Sequence, residues 1–393
     1  MPKNRIPPLP YGHQSIDAQD IAAVERVLRS DWITQGPVIE AFESAISEYT
    51  GARNAVAVSS GTAALHSACM ALGIGVGDEV IVPTLTFGAT AAAVRLCGAE
   101  VRFADVDSRT LGLSAETVSD KTTAKSKALI AVDFAGQPCD WQGLSDCASE
   151  MNLTTVADAA HSLGAIYREK SIGTLAEATC FSFHPVKAIT CGEGGMIVVQ
   201  STELRERLRK VRHHGVERDV DRFVSSEDEH MGPWYYEIQE LGLNYRISDI
   251  HAALGLSQLG KLDTFLARRR TLAARYNAVF SKSDLLETPH VFSDRQSAWH
   301  LYVVRLRLEA LSWSRRRVFE ELRTLGIGVQ VHYMPLHLQP YYSMRYGHKR
   351  GDFPVAEAYY AAAMTLPLYP AMTDQDADDV IQIVLETLLR AKR

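Results

Sequence analysis

Apolar and polar positions follow two alternating rhythms along the first 250 residues. Short, largely apolar runs occur at NAVAVSS (54–60), EVIVP (79–83), EVRFADV (100–106), KALIAVDFA (127–135), TTVADAA (154–160), TCFSFH (179–184) and GGMIVVQ (194–200). Between most of them the apolar residues recur at helical spacing, as over 62–72 and 141–151. Strands that are apolar on both faces and separated by helices predict an α/β fold, a mostly parallel sheet covered on both sides. Two more helices are predicted ahead of the sheet, over 17–29 and 38–49. The second is opened by Pro37, whose fixed φ and missing N–H suit a first helical turn. Near residue 250 the rhythm changes. The segment 247–280 reads as long and helical, SAWHLYVVRLRL (297–308) as a strand, and 313–325 and 374–392 as helices. The change predicts a large domain over 1–250, including an N-terminal arm, and a smaller C-terminal α+β domain over 251–393.

The 393-residue chain is long enough to bury a large core, and 46% hydrophobic with 22% charged residues marks it as globular rather than disordered. Its 41 basic and 47 acidic residues leave a net charge of −6 spread along the chain, which argues against nucleic acid or an anionic membrane as partner. Any anion must then be held by a local site. MPKNRIPPLPYGHQ at the N-terminus lacks the apolar stretch of a signal peptide, and no run of 18 apolar residues occurs, so the expected location is the cytoplasm. The six cysteines form no CxxC pair and mostly sit in apolar surroundings, as reduced core thiols do; no metal site is expected. KTTAKSK (121–127) and the arginine triplets at 268–270 and 315–317 read as solvated faces, and SSEDEH (225–230) as an exposed loop.

Three segments carry candidate chemistry. In SSGTAALHSA (59–68) a strand runs into Ser59, Ser60, Gly61 and Thr62 where a helix begins. Free N–H groups, hydroxyls and the positive end of the helix dipole converge there, and Gly61 permits close approach, so the turn can seat a phosphate. Ser60 or Thr62 could equally serve only as a helix cap. In VADAAHSLGA (156–165), Asp158 stands at the carboxyl end of an apolar strand. A buried carboxylate there calls for a cationic partner, unless it is an N-cap. In CFSFHPVKAITCGEGGM (180–196), Lys187 is, His184 aside, the only basic residue. Either it is a solvated surface lysine, or desolvation lowers its pKa and supplies a neutral amine. Ligands of α/β sheets bind beyond the carboxyl ends of the strands, where all three segments should gather. A phosphate seat, a carboxylate for a pyridine nitrogen and an amine for an aldehyde are the three attachments of pyridoxal 5′-phosphate (PLP). The glycines of LGIGVGDEVIVP (72–83) precede a strand instead of following one, so they read as a helix end and turn, not a dinucleotide fingerprint.

FSFHPVKAITCGEGG (181–195), DAAHSLGA (158–165), SSGTAALH (59–66) and GLNYRISDIHAALGLSQL (242–259) together resemble the fold-type I PLP aminotransferases of the DegT family, which act on nucleotide-linked keto sugars. The resemblance runs through WITQGPVIEAFE (32–43), VHYMPLHLQPYY (331–342) and LPLYPAMTDQD (366–376), nearly the whole chain. By matching position it implies Lys187 as the Schiff-base lysine and Asp158 as the partner of the pyridine nitrogen. It implies Gly61, Thr62 and Ser182 for the phosphate, Phe87 of PTLTFGAT (83–90) stacked on the cofactor ring, and His161 beside that ring. Asn244 is implied to reach the phosphate of a second subunit, making a homodimer with two shared sites. Without the resemblance Phe87 reads as a core aromatic, and NYR as a polar turn before a helix.

The implied reaction has two stages. Glutamate leaves its amino group on the cofactor and departs as 2-oxoglutarate, and the group then passes to a sugar ketone. Members that deoxygenate sugars carry His where this chain has Lys187, so the resemblance implies amino transfer. SDWITQGP, IAVDFAGQP, FSFHPVK and VQVHYMPLH are most similar to the branch that aminates C4 of UDP-linked 4-keto-6-deoxy-N-acetylhexosamines, as in pseudaminic acid synthesis. Arg246, His300, His332 and Tyr333 are then implied sugar-nucleotide contacts. Their plain readings are a surface ion pair for Arg246 and satisfied groups at the domain junction for the others. The 4-amino-arabinose and GDP-linked C4 branches stay open. A PLP-binding regulator would carry a DNA-binding module, for which the chain has neither length at its ends nor a basic patch, and a nicotinamide dehydrogenase would need a strand-to-helix GxGxxG.

Overall fold

The computed structural model describes residues 5, 7–225 and 232–393. All of SSEDEH except Ser225 therefore lies outside the described residues, as do 1–4 and 6 of the N-terminal segment. Seven strands form the central sheet: β1 (Asn54–Val58), β2 (Glu79–Pro83), β3 (Glu100–Ala104), β4 (Ser126–Val132), β5 (Thr154–Asp158), β6 (Ala178–Ser182) and β7 (Gly195–Val199). Their order is β1-β7-β6-β5-β4-β2-β3. β7 runs antiparallel to β1 and β6, and every other pairing is parallel. The expected mostly parallel sheet is thus present with one strand reversed.

Successive strand residues enter different cores, because side chains alternate across a pleated strand. Ala57, Leu129 and Ala131 pack with Phe42, Ile46 and Trp141 on one face; Val56, Val58 and Ile130 pack with Leu65 and Val94 on the other. The first face is covered by α2 (Pro37–Thr50) and the helix Trp141–Met151, the second by α3 (Gly61–Ala71) and α4 (Gly88–Leu96). Pro37 occupies the first position of α2, as predicted. α3 ends at Ala71 and Gly73 takes φ 70°, a left-handed turn that glycine adopts without strain. A three-stranded sheet of Leu286–Glu287, Tyr302–Leu306 and Ala363–Leu366 packs with the helices Leu262–Phe280 and Asp374–Ala391 around a third core. Five of the six cysteines are buried and Cys97 is half-buried. Among the described residues no helix is long and apolar enough to cross a membrane.

Three expectations need correction. The segment 247–280 is two helices, Asp249–Leu259 and Leu262–Phe280, interrupted at Gly260 and Lys261. Of 297–308 only Tyr302–Leu306 is strand. Ahead of it, Trp299 adopts φ 49°, and the N–H groups of Ala298 and Leu301 donate to the carbonyls of Gly136 and Ala135. The segment leaves sheet geometry in order to interlock with the loop after β4. Arg269 does not lie on a solvated face. It is 1% exposed and donates to the carbonyls of Trp299 at 3.2 Å, His300 at 3.3 Å and Leu368 at 2.8 Å. These three carbonyls offset part of its desolvation, while its buried Nε has no partner.

Candidate active site

The three candidate segments meet at one edge of the sheet. Register places Asp158 beside Val132 and Cys180, and Ser182 in line with Gly195 and Val58. Strand ends at one level bring β1, β5 and β6 to a common rim.

On the phosphate side, the Ser60 hydroxyl caps α3 by accepting from the Ala63 N–H at 3.1 Å. The capping reading of this turn therefore holds, and it leaves Gly61 and Thr62 at the open helix end. A Cβ on Gly61 would lie 2.7 Å from the Ser182 Cβ, and one on Gly195 would lie 2.3 Å from the Ser60 carbonyl oxygen. Only glycine at both positions lets the α3 turn approach β6 and β7 so closely. The result is a backbone cradle with the Ser182 hydroxyl at its wall.

Asp158 is 6% exposed. Its Oδ2 accepts from the Thr90 hydroxyl at 2.7 Å and its Oδ1 from the Ala160 N–H at 3.3 Å. Burial raises its pKa, while the Thr90 hydrogen bond and the Lys187 charge oppose that rise. Lys187 sits in the turn after β6, its N–H donating to the His184 carbonyl at 2.9 Å. Burial lowers its amine to about 8, against the pull of Asp158. The surface-lysine reading does not describe this side chain. The neutral fraction of the amine grows as pH rises toward 8 and is nearly complete above it. Covalent capture of PLP by the apoprotein, followed by visible absorbance, should therefore accelerate about tenfold per pH unit below 8 and level off above. A rate independent of pH across that range would contradict the assignment.

Aromatic side chains surround the pair. Phe87 immediately precedes α4 and is 62% exposed, so it is no core aromatic. Its ring lies 5.9 Å from Tyr333, which also sits 6.2 Å from Phe134. His161 Nδ1 accepts from the Ala135 N–H at 3.3 Å, which leaves Nε2 facing the Tyr333 hydroxyl at 3.4 Å. The His161 and His300 rings are 4.3 Å apart, and His332 lies 4.8 Å from Tyr333 and 2.8 Å, through Nδ1, from the Thr365 hydroxyl. Burial, reinforced by neighbouring positive charge, holds His161 and His300 far below the usual imidazole range and His332 at about 4. All three rings are neutral near pH 7. The "satisfied group" reading fits His332 but not His300, whose Nδ1 is buried without a partner.

Two candidates adjoin the phosphate turn through the backbone of 244–246, Arg246 bridging to Val58 and the Ser59 N–H donating to the Tyr245 carbonyl at 2.8 Å, but the Arg246 side chain turns to another partner. Arg246 Nη1 is 2.6 Å from His213 Nδ1, beside a cavity of about 620 Å³ that Trp32, Arg212 and Arg218 also line. It meets a histidine there rather than the carboxylate of a surface ion pair. Asn244 is exposed and its backbone bridges to His213. Neither residue hydrogen-bonds Lys187 or Asp158 within one chain.

The structure adds residues that sequence reasoning missed. Asp133, directly after β4, is completely buried; its carboxylate accepts from Cys139 N–H at 2.8 Å, Trp141 Nε1 at 3.1 Å and the Ser162 hydroxyl at 2.7 Å. Burial pushes that carboxyl up to about 6. The available signal was that KALIAVD and TTVAD both close a strand on Asp. Thr90, Phe134 and Arg269 carried no such signal, since their roles come from contacts distant in sequence. Among the described residues no cluster of three or more His, Cys, Asp or Glu is placed to hold a metal ion.

A glycine-walled cradle, a carboxylate that has accepted only two donors, and a lysine amine near neutrality fit PLP, and such a rim is what fold-type I PLP enzymes carry. Comparison with known proteins agrees. Residues 14–385 match the DegT/DnrJ/EryC1/StrS aminotransferase family. The chain is 39% identical over 377 residues to the spore coat polysaccharide biosynthesis protein SpsC of Bacillus subtilis, covering 96% of each. It is similar in structure to Helicobacter pylori PseC, an aminotransferase involved in the biosynthesis of pseudoaminic acid, with TM-score 0.89 and 27% identity over 98% of this chain and 100% of that one. The PLP form of Spr1654 from Streptococcus pneumoniae matches with TM-score 0.89 and 30% identity over 98% of this chain and 99% of that one. The chain belongs to the DegT/DnrJ/EryC1/StrS aminotransferase family and is a PLP-dependent aminotransferase of fold-type I.

Proposed function

We propose that the enzyme transfers an amino group from glutamate to the C4 ketone of a UDP-linked 4-keto-6-deoxy-N-acetylhexosamine, giving a 4-amino sugar nucleotide for surface-glycan synthesis. The observation that carries the reading is the partly buried Lys187, its amine near neutrality, at the same rim as Asp158 and the exposed Phe87. PLP, when bound, accepts the amino group and takes up the electrons released as a proton leaves carbon. The Lys187 amine would take up that proton from the donor's α-carbon and return it. Asp158 would face the pyridine nitrogen and favour its protonated form. Gly61, Thr62 and Ser182 would hold the phosphate, and Phe87 and neutral His161 would flank the ring.

His300, His332 and Tyr333 take the sugar side, and Arg246 contacts the nucleotide. The resemblance to PseC, an aminotransferase of pseudoaminic acid biosynthesis, supports an amino sugar of that kind as product, and Lys187 supports amination. The working unit is a homodimer in which Asn244 of each copy reaches the phosphate seat of the other. Its exposure supports this, as does the exposed apolar surface of Ile21, Leu28, Trp32 and Ile33 on and just after α1 (Ala18–Leu28).

The test offers the purified enzyme UDP-, GDP- and dTDP-linked keto sugars with glutamate and locates the new nitrogen by NMR. Amination at C4 of the UDP-linked N-acetylhexosamine is the expected product. Preference for a GDP- or dTDP-linked sugar, or nitrogen at C3, would overturn the substrate assignment.

A further inference from the structure

We infer that Thr90 is the positioning residue of Asp158, its hydroxyl fixing the carboxylate's orientation and keeping it ionised toward the pyridine nitrogen. The inference rests on the assignment of Asp158 to that nitrogen. Thr90 is fully buried in the first turn of α4, and its Oγ1 lies 2.7 Å from Asp158 Oδ2. Thr86 Oγ1 lies 2.7 Å on the other side of Thr90 Oγ1. An ionised carboxylate can only accept, so the Thr90 proton must point to Asp158, and the Thr86 proton must then point to Thr90. The chain Thr86 to Thr90 to Asp158 has one direction, and each bond polarises the next.

The comparison with Asp133 explains why this bond matters. Asp133 accepts from three protein donors, all within the fold, as a structural tie. Asp158 accepts a short bond from Thr90 and a longer one from the Ala160 N–H, and so retains lone pairs for a further donor. Burial alone would favour its protonated form, which could not hold a proton on the ring. Thr90 supplies the short hydrogen bond that favours the anion. Phe87 and Thr90 also lie three residues apart at the start of α4, so one turn sets both the aromatic for the ring face and the orientation of the carboxylate.

The test uses full-length holoenzyme of the parent, Thr90→Val, Thr90→Ser and Asp158→Asn. Valine keeps the branched shape and removes only the donor. Thr90→Val should bind PLP about tenfold more weakly, the range for losing a hydrogen bond to a charged acceptor. The pH midpoint of the bound cofactor's visible band should also move upward. A less protonated ring draws fewer electrons from the nitrogen that Lys187 contributes, which then keeps its proton to higher pH. Thr90→Ser should restore affinity and midpoint, and kcat should fall in Thr90→Val with little change in the KM for glutamate. If Thr90→Val lowers only the melting temperature while Asp158→Asn shifts affinity and midpoint, Thr90 is merely structural and the inference fails alone. If Asp158→Asn also leaves both unchanged, the assignment of Asp158 fails and takes the inference with it.

Discussion

Lys187→Ala is expected to retain the fold and lose nearly all amino transfer, with kcat reduced about 10⁴-fold or more. In the proposed reaction the side chain serves twice, first as the amine that attaches the cofactor and then as the base that moves the proton at the donor's α-carbon. Both duties require a neutral amine, and the surroundings lower its pKa to about 8. Ordinary lysine, near 10.4, would be protonated in more than about 99% of molecules at pH 7. Desolvation raises the neutral fraction, and that same desolvation makes the side chain costly to bury. Alanine removes the cost along with the chemistry, so the melting temperature should stay close to that of the parent. The visible absorbance of attached cofactor should vanish. A variant that transaminates like the parent would show that another residue does this work.

Asp158→Asn is expected to weaken PLP binding and lower kcat by about 10²–10³-fold, the scale for losing one preorganised electrostatic contact at a reacting group. Asparagine has almost the same shape, and its carbonyl can still accept from Thr90. What it lacks is the charge that, in the proposed reaction, keeps the pyridine nitrogen protonated. The loss should appear at proton transfer, as a larger deuterium isotope effect with α-deuterated glutamate in single-turnover kinetics. Parent-like rates would remove the pyridinium argument.

Much of this site was legible because its parts lie at the ends of strands, where sequence is most explicit. EVIVP is a strand over its full predicted length, and the runs that precede Ser60 and Ser182 and contain Asp158 end within a few residues of the predicted limits. Unbroken apolar patterns followed by small or polar residues mark such ends clearly. The helices α4, GATAAAVRL, and Pro354–Ala362, PVAEAYYAA, are not singled out by the sequence pattern, because runs rich in alanine with few charges have no clear polar face to display a period. Thr90 was hidden with α4. Arg269 looked solvated because its triplet is charged, yet the helix turns its middle residue onto carbonyls of Trp299 and His300, thirty and thirty-one residues away. The meeting of His161, His300 and Tyr333 likewise depends on the turn at Trp299 interlocking with Ala135 and Gly136. No local pattern encodes that contact.

The central claim is that the cofactor is held covalently by one particular lysine. Reducing the holoenzyme with borohydride and mapping its peptides tests this most directly. The account predicts a stable pyridoxyl label on the peptide containing Lys187; a label on any other lysine, or none, would contradict it.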